Sequence, residues 1–467
     1  MNSAGAPESV MAEVLLTHSN HLYSDPKQVA KMQPYPPLQT ILAAAVLEQH
    51  GIETALYDPT LDSPHEGFRD ALERHRPRLV VICEDDFNFI SKMCLARNRE
   101  LALWMARTAT SQGIEVVAHG SDASDHAAAY LAAGCAAIII GEVESTLLAF
   151  AQGESTDNIA GLALRCERGV HYNSPRGVSS DLDVLPAPAW HLVDVDRYRQ
   201  AWLSAHGYFS LNMASSRGCP YRCNWCAKPI YGNSYHARSP RRVAEEMIEL
   251  KRRFQPDHIW FADDIFALSA RWTFEFASAV EHLQAQTPFK MQSRCDLMTR
   301  DAVGALRRAG CQEVWMGAES GSQRVLDSMD KDIRVDVIHA ARENLRVHGI
   351  RACFFLQFGY PGETWSDIES TIEMVRRAAP DDVGISISYP LPGTKFHQIV
   401  AAEVGAKANW KDSSDLSMMF RGTFSTELYR ALADALHAEV RGGKDLDCAW
   451  RLVHELRGVE QSRMAAV

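Results

Sequence analysis

Several features that would assign this chain to a broad class are missing from its sequence. No apolar run approaches the ~18–20 residues that a membrane span requires. Residues 1–13 lack the basic-then-apolar order of a signal peptide. Basic residues are outnumbered, with 48 Lys and Arg against 59 Asp and Glu and a net charge of −11. We therefore expect neither a membrane span nor export. We also expect no nucleic-acid partner, because nucleic acid binding needs a basic face.

Cysteine is present eleven times, but without the repeated spacings of a disulfide framework, which favours a reducing cytoplasm. Three cysteines form one short run, Cys219, Cys223 and Cys226 in RGCPYRCNWCAKP. No fourth cysteine lies nearby, and His206 and His236 are badly spaced for a zinc site. Three thiolates can hold a [4Fe–4S] cluster and leave one iron open, which marks a catalytic site. Zinc binding and simple packing of the thiols are the alternatives.

The first predicted domain is residues 1–150, where short apolar runs alternate with helical patterns from residue 12 onward. This alternation predicts a parallel sheet covered by helices on both faces, with ligands at the carboxyl ends of its strands. The predicted strands are Glu13–Leu16, Thr54–Tyr57, Leu79–Cys83, Glu115–Ala118 and Ala136–Ile140. Candidate ligand contacts in the loops that follow are Thr17, Ser19, Asn20, Glu84, Asp85, His119, Gly120, Ser121, Gly141 and Glu142.

A second series of strands and helices occupies residues 206–395, after a Pro-, Ser- and Asp-rich connector at 151–205. Six β/α repeats predict an open barrel related to the eightfold one, with its site at the strand carboxyl ends. The predicted strands are Phe209–Ala214, His258–Ala262, Lys290–Ser293, Glu313–Gly317, Cys353–Gln357 and Gly384–Ser388. Residues 396–467 are predicted to be a small helical region with an apolar group that forms either core or a substrate lid: Trp410, Met418, Met419, Phe420 and Phe424.

The C-x3-C-x2-C run, with Trp225 before its third cysteine, resembles the signature of the radical S-adenosylmethionine (SAM) enzymes. The resemblance implies that SAM chelates the open iron. It also implies that an external one-electron donor, such as flavodoxin or ferredoxin, drives cleavage of SAM to methionine and a 5′-deoxyadenosyl radical. In such enzymes the cofactor carries the difficult chemistry, and the protein supplies orientation and electrostatics.

Motifs after the later strands resemble those of one radical SAM subclass: FADDIF, GAESGSQRVL, FGYPGET and YPLPGT. The resemblance implies SAM contacts from residues in and near these motifs and the cysteine run: Trp225, Asp263, Asp264, Ser293, Arg294, Glu319, Ser320, Gln357, Gly359 and Tyr389. Other roles stay open for some of them. The adjacent carboxylates and Ser320 also suit helix capping, and Arg294 suits a salt bridge to Asp296 or Asp301.

Three stretches of the first domain resemble the cobalamin-binding domain of that subclass: YPPLQTILAAAVLEQHGIETALYD, VVAHGSD and IIIGEVEST. The chain lacks D-x-H-x-x-G, the motif by which other cobalamin proteins supply an axial histidine. The resemblance therefore implies a corrin whose lower face meets loop atoms, with His18, His21 and His119 as the conceivable cobalt ligands. The subclass includes the anaerobic magnesium-protoporphyrin IX monomethyl ester cyclase and many methylases.

The sequence thus predicts an α/β protein with a Rossmann-like cobalamin-binding sheet, a partial (β/α)6 TIM-type radical SAM barrel and a helical C-terminal region. The leading hypothesis is methylation of an unactivated carbon in a small-molecule substrate. Radical chemistry needs positioning more than tuned acid–base pairs, and no catalytic side chain is predicted. Oxidative cyclisation or rearrangement is the second hypothesis, and a non-catalytic iron–sulfur electron-transfer protein is the third.

Overall fold

The computed structural model describes residues 12–228, 230–405 and 407–465. Residues 1–11, which the predicted first domain includes, lie outside the described residues. The described chain divides into two compact units. Unit 1 comprises residues 12–212, 228, 230–232 and 411–414, and unit 2 comprises 213–227, 233–405, 407–410 and 415–465.

Within its described residues, unit 1 is built on one seven-stranded sheet. Its strands are β1 Val14–Thr17, β2 Thr54–Tyr57, β3 Leu79–Cys83, β4 Glu115–His119, β5 Ala137–Ile139, β6 Leu162–Cys166 and β7 Gly169–Tyr172. The order is β2-β1-β3-β4-β5-β6-β7, and the pairs among β1 to β5 are parallel. Every residue of β3 is buried, as expected for a continuous apolar run at the centre of a covered parallel sheet.

Helices of unit 1 fall between these strands and after them. They are α1 Pro26–Lys31, α2 Leu38–Gln49, α3 Pro64–His75, α4 Phe89–Lys92, α5 Ala96–Ser111, α6 Ser121–Asp125, α7 Ala127–Ala132, α8 Glu144–Ala151 and α9 Val195–His206. Residues 38–47 of α2 are all buried, because its sequence LQTILAAAVLEQ is apolar nearly all round. Buried apolar residues fill both faces of the sheet, so the loops at the carboxyl ends of its strands start from a packed core.

Part of the predicted connector at 151–205 belongs to the sheet. Strands β6 and β7 form an antiparallel hairpin that pairs Cys166 with Gly169, and β6 pairs antiparallel with β5. Most of their residues beyond Leu162 and Ala163 are exposed or half-buried, so the hairpin lacks the apolar run that identified the other strands.

A short segment from late in the sequence completes unit 1. The backbone amide and hydroxyl of Ser413 donate to Asp25 at 2.8 and 2.9 Å. Arg97 pairs with Asp412 at 3.2 Å. Unit 1 is therefore discontinuous in sequence, and Asp25 depends on residues almost four hundred positions away.

Unit 2 contains a large parallel sheet and a separate two-stranded ladder within its described residues. The strands are β9 Ser216–Gly218, β10 Tyr235–Ala237, β11 His258–Phe261, β12 Phe289–Ser293, β13 Cys311–Glu319, β14 Arg351–Phe358 and β15 Asp382–Ile387. The order of the parallel strands is β15-β14-β13-β12-β11. One further strand, β8 Ser210–Met213, runs across the boundary at residue 212, so that only its last residue belongs to unit 2. Strands β9 and β10 pair antiparallel and hold together the ends of the segment that carries the cysteine run.

The helices of unit 2 alternate with the strands and then follow them. They are α10 Pro240–Phe254, α11 Ala270–Leu283, α12 Arg300–Ala309, α13 Gln323–Ser328, α14 Val335–Val347, α15 Trp365–Ala378, α16 Lys395–Val400, α17 Thr426–Arg441 and α18 Leu446–Ala465. Ser239 caps α10, and Val243, Met247 and Leu250 form its buried stripe, as the sequence pattern predicts.

All eleven predicted strands in the two sheets are present, with ends within two residues of the prediction. The predicted parallel α/β organisation is therefore confirmed. No described helix combines the length and apolar character that crossing a bilayer requires.

Candidate functional site

The three cysteines lie on one loop that starts at the end of β9. Cys219, Cys223 and Cys226 are half-buried, and none forms a disulfide. Among the described residues, no three Cys, His, Asp or Glu side chains converge closely enough to hold one metal ion. Three cysteine thiols on one loop are a donor set that fits a [4Fe–4S] cluster, which binds each cysteine through a different iron.

Asn224 fixes the middle of the cysteine loop. Its side-chain amide donates to Ser328 O at 2.7 Å, and its backbone amide donates to Met329 O at 3.0 Å. The hydroxyl of Tyr360 donates to Asn224 Oδ1 at 3.1 Å. The loop is thus held by protein hydrogen bonds that do not depend on a bound group.

The indole of Trp225 packs against an apolar cluster of unit 2, whose members are Val325, Met329, Tyr360, Phe396, Val400 and Phe420. Its Nε1 atom is buried and has no hydrogen-bond partner among the described residues. A buried donor without an acceptor costs about 1–3 kcal/mol. Trp225 therefore offers an unused N–H group beside the cysteine loop, as suits a residue that meets a ligand.

Of the two adjacent carboxylates after β11, Asp263 is committed to the protein interior. It is fully buried and accepts hydrogen bonds from the amide and hydroxyl of Ser215 and from the hydroxyl of Ser216. Burial nevertheless raises the pKa of Asp263 to about 6. Asp264 is exposed. The oxygens of Asp263 thus bind the residues that lead into the cysteine loop, and SAM contact by either aspartate stays a prediction.

Arg294 links the cysteine loop to the segment after α13. Its guanidinium lies 3.7 Å from the centroid of the Tyr221 ring, and Nη1 lies 3.9 Å from Cys223 Sγ. Its Nε donates to Asp296 Oδ1 at 2.9 Å, which is one of the salt bridges weighed as an alternative. Nη2 donates to the carbonyl oxygen of Lys331 at 3.1 Å. The salt bridge and the contact with a cluster cysteine therefore coexist.

Glu319 forms a buried ion pair with Lys331, in which Oε1 and Nζ are 2.8 Å apart. Glu319 has a φ of +58°, which is uncommon for a residue with a Cβ. A Cβ at Gly317 would lie 2.5 Å from Glu319 Oε1 and 2.6 Å from Lys331 Nζ. Burial alone would lower the pKa of Lys331, but the charges of Glu319 and Cys223 outweigh it and raise the pKa. Glycine at the start of the G-x-E motif thus makes room for a charged pair.

The rest of the same motif packs on α15. Ser320 Oγ lies 3.0 Å from Thr371 Oγ1 and accepts a hydrogen bond from the amide of Ser322. A Cβ at Gly321 would lie 2.2 Å from Ser370 O, so only glycine permits this approach. Ser320 therefore ties the loop to a helix, the structural role considered beside SAM contact.

Four other residues expected at the SAM site have internal partners in unit 2. Ser293 donates to Phe266 O at 2.9 Å, and Gln357 donates to Ser388 at 3.0 Å. The backbone amide of Gly359 donates to Glu363, and the Tyr389 hydroxyl accepts from Asn409 and from the Trp410 amide. Gly359 has a φ of +78°, and a Cβ there would lie 2.9 Å from Met418 Sδ, so glycine is required by the backbone and by packing.

The C-terminal apolar group is core. Trp410 is fully buried, stacks on Tyr389 with ring centroids 4.4 Å apart and donates to Ser417 O. Met419, Phe420 and Phe424 are also buried, and Met418 packs against the apolar cluster that contacts Trp225. The packing alternative, rather than the lid, describes these residues.

In unit 1 the structure gathers the predicted loop residues at the carboxyl edge of the sheet. The amide of Ser19 donates to Glu84 Oε1 at 2.9 Å. A Cβ at Gly120 would lie 2.6 Å from Glu84 Cβ. Burial raises the pKa of Glu84 to about 7, and its Oε2 atom is buried without a hydrogen-bond partner among the described residues. A ligand that donates hydrogen bonds, as the amide arms of a corrin do, suits this unfilled acceptor.

Two of the three conceivable cobalt ligands are occupied by the protein. His18 Nε2 lies 3.1 Å from Asp58, and its Nδ1 accepts from the amide of Asn20 at 3.1 Å. His119 is buried, with Nε2 3.0 Å from Gly141 O and Nδ1 3.8 Å from Cys83 Sγ. Burial lowers the pKa of the third candidate, His21. Hydrogen bonding at both nitrogens leaves neither His18 nor His119 a free lone pair for a metal.

The remaining predicted residues of unit 1 lie at the same edge, together with Gln39, which sequence reasoning did not select. Gln39 donates its backbone amide to Asp85 and its side-chain amide to Glu144, and it accepts from the Tyr231 hydroxyl at 3.1 Å. Other predicted residues have partners nearby: Thr17 is buried at the end of β1, Ser121 lies 3.5 Å from Asp86, and Glu142 accepts from the amide of Ser179. Gln39 lies inside the stretch that resembles a cobalamin-binding domain, and this resemblance is the signal that could have identified it.

Comparison with known proteins gives the class of this fold and site. Residues 213–375 match the family model of the radical SAM superfamily. The chain superposes on the radical SAM methyltransferase TsrM of Kitasatospora setae, solved with cobalamin and a [4Fe–4S] cluster, with a TM-score of 0.68 and 19% identity over 84% of this chain and 75% of that one. It superposes on OxsB with aqua-cobalamin with a TM-score of 0.72 and 15% identity, over 91% and 66%. The fold is that of cobalamin-dependent radical SAM enzymes.

Relatives found by sequence similarity include proteins described as a methyltransferase and a cyclase. An uncharacterized methyltransferase of Pyrococcus horikoshii is 26% identical over 59% of this chain and 60% of its own length. The anaerobic magnesium-protoporphyrin IX monomethyl ester cyclase of Rubrivivax gelatinosus is 25% identical over 51% and 44%. The chain thus spans about half the length of the curated relatives it matches. The chain is thus similar to the radical SAM superfamily over residues 213–375, and over longer stretches to the cyclase and to a radical SAM methyltransferase solved with cobalamin.

Proposed function

We propose that this enzyme uses a [4Fe–4S] cluster, SAM and cobalamin to methylate an unactivated carbon of a small molecule. The observation that carries the proposal is the loop of three cysteines outside any disulfide, Cys219, Cys223 and Cys226, inside the matched radical SAM domain. Methyl transfer is favoured because the structural neighbour TsrM and the relative from Pyrococcus are both described as methyltransferases.

The two units divide the work in this proposal. Unit 1 is the cobalamin-binding domain, which the unfilled acceptor on Glu84 supports. Unit 2 is the radical SAM core, whose strands and helices form a partial (β/α)6 barrel. All eleven cysteines are free, which suits a reducing cytoplasm, where a flavodoxin or ferredoxin supplies single electrons.

At the SAM site the three thiolates hold the cluster, and Asp264 accepts hydrogen bonds from the SAM amino group in place of Asp263. Trp225 donates its unused N–H group to the nucleoside side of the ligand, and Arg294 faces the carboxylate side from its place beside Cys223. When bound, SAM and the cluster would supply a 5′-deoxyadenosyl radical, and cobalamin would supply a methyl carrier. The residues of this chain would orient these cofactors and exclude water from them.

The cobalamin site is completed by residues at the sheet edge of unit 1. Glu84 accepts from an amide of the corrin, and Gly120 and Gly141 leave their positions without side chains where loops approach the ligand. His18 and His119 keep their internal hydrogen bonds, so neither of these two histidines coordinates cobalt.

Product analysis tests the proposal. The protein is reconstituted without oxygen from iron, sulfide and hydroxocobalamin, then incubated with SAM, a one-electron reductant and candidate substrates. Methylation is expected to give S-adenosylhomocysteine together with 5′-deoxyadenosine. 5′-Deoxyadenosine alone would indicate oxidative cyclisation or rearrangement, and a cluster that never cleaves SAM would refute the proposal in favour of electron transfer.

A further inference from the structure

Lys331 is a buried cation that no sequence motif selected, and it lies beside the cysteine loop. The residue is 5% exposed, and its ammonium forms the 2.8 Å ion pair with Glu319. A lone charge in the protein interior is unstable, so the pair must be kept together. The absent Cβ of Gly317 supplies the space in which the two groups meet.

The Lys331–Glu319 pair is connected to the cysteine loop through Arg294. Arg294 donates to the carbonyl oxygen of Lys331 at 3.1 Å, and its Nη1 lies 3.9 Å from Cys223 Sγ. Arg294 is itself paired with Asp296. Arg294 therefore connects Lys331 to Cys223, and each of the two cations is paired with its own carboxylate.

We propose that Lys331 tunes the reduction potential of the cluster by placing a fixed positive charge beside Cys223. This inference rests on the proposed [4Fe–4S] cluster. Reduction adds one electron, and hence one negative charge, to an assembly that is already anionic through its thiolates. A buried cation stabilises the reduced form more than the oxidised form, and the low dielectric of the interior strengthens the effect. Lys331 is thus a positioning residue for electron transfer.

The alternative role is purely structural, since the ion pair also holds the bulge between Gly317 and Glu319 in β13. Potentiometry followed by electron paramagnetic resonance separates the two roles. The full chain is reconstituted without oxygen, and the midpoint potential of the cluster is measured in the absence of SAM, so that lost SAM contacts cannot contribute.

The variants are chosen by charge. K331Q removes the cation, and K331R keeps it. The double variant K331Q/E319Q replaces the pair with two neutral amides of similar shape, which avoids an unpaired buried charge if K331Q alone does not fold. K395Q is the matched control, because it removes an exposed lysine that pairs with Asp330 at 2.7 Å, one residue from Lys331 in sequence.

We expect a more negative midpoint potential in K331Q than in wild type and an unchanged potential in K331R and K395Q. In K331Q/E319Q the loss of the Glu319 charge opposes the loss of the cation, so the potential should lie above that of K331Q. If K331Q does not fold, the same comparison is made between K331Q/E319Q and K331R/E319Q, which differ only in the cation. K331Q at the wild-type potential, or two double variants of equal potential, would overturn the inference and leave the proposed function intact. Wild-type protein that forms no cluster under these conditions would refute the proposed function and this inference with it.

Discussion

The carboxylate of Asp263 accepts two hydrogen bonds from Ser215, one from the backbone amide at 3.1 Å and one from the hydroxyl at 2.6 Å. This contact fixes the chain two residues past the end of β8, where it turns toward the cysteine loop. The adjacent carboxylate, Asp264, is exposed. Two neighbouring aspartates therefore differ in environment: one is bonded inside the fold, and the other is exposed where we propose contact with SAM.

D263N should mainly lower the stability of the protein, and D264N should mainly weaken SAM binding. An amide at position 263 cannot accept all of the bonds that Ser215 and Ser216 donate, so D263N should lower the free energy of unfolding by about 2–3 kcal/mol. D264N should leave stability within about 0.5 kcal/mol and weaken SAM binding about tenfold. Urea denaturation and calorimetric SAM titration measure these effects. Equal stability losses in both variants would contradict the assignment.

Replacing any one of Cys219, Cys223 or Cys226 with alanine should abolish the visible absorption of the reconstituted cluster, because three cysteines are the minimum set of protein ligands available to it. C166A and C448A are the controls, since both remove exposed thiols outside the loop. Iron and sulfide content are measured after anaerobic reconstitution. Retention of a full cluster in C223A would show that other residues bind it.

G317A should destabilise the protein by about 1–3 kcal/mol, because the new methyl group would collide with both Glu319 and Lys331. G458A is a control of opposite sign. Gly458 lies exposed within α18, and no neighbouring atom lies within 4 Å of the position that a Cβ would take, so alanine should stabilise the helix by about 0.5–1 kcal/mol. Urea denaturation is the measurement for both variants, and a neutral G317A would mean that the pair can move aside.

Glu84 should make the stability of the protein without ligands depend on pH. Its pKa is about 7 in the folded chain against an ordinary 4.5, so the folded state holds the proton more tightly. The stabilisation is complete below pH 4.5 and is lost as the pH rises to 7, a change of about 3 kcal/mol. Denaturation at pH 4.5 and pH 8 should therefore show a loss in wild type that E84Q lacks. Parallel pH profiles would contradict the burial of this carboxyl group.

Bound cob(II)alamin should carry no nitrogen from His18 or His119, because hydrogen bonds occupy both rings. Protein labelled with 15N-histidine should give the same electron paramagnetic resonance spectrum of cobalt as unlabelled protein. A changed hyperfine pattern in the labelled protein would demonstrate a histidine ligand and a rearranged loop.

The strands and the cysteine run could be predicted because apolar periodicity and short spacings are local properties of a sequence. The roles of Asp263 and Asp264 could not be separated in that way, since both follow the same strand and only the fold shows which one meets Ser215. Lys331 was missed for a related reason. It stands in a polar connection between α13 and α14, and its partner Glu319 is twelve residues away on the other side of α13.

The hairpin of β6 and β7 shows the opposite difficulty. Its residues carry few of the signals that mark a buried strand, because most side chains beyond Leu162 and Ala163 face water. Antiparallel strands at a sheet edge need an apolar pattern on one face at most. The pairing of β6 with β5 depends on backbone hydrogen bonds, which the side-chain pattern does not report.

The late segment 411–414 limits how this protein can be dissected. A gene fragment that stops after residue 212 would encode both faces of the first sheet yet leave Asp25 without Ser413 and Arg97 without Asp412. Such a truncation would expose a carboxylate that normally sits under a loop donated from the far end of the polypeptide. Cofactor titrations on such a fragment would then report on an incomplete fold, whereas a fragment that also carries residues 228–232 and 411–414 should keep the hydrogen bonds of the complete unit.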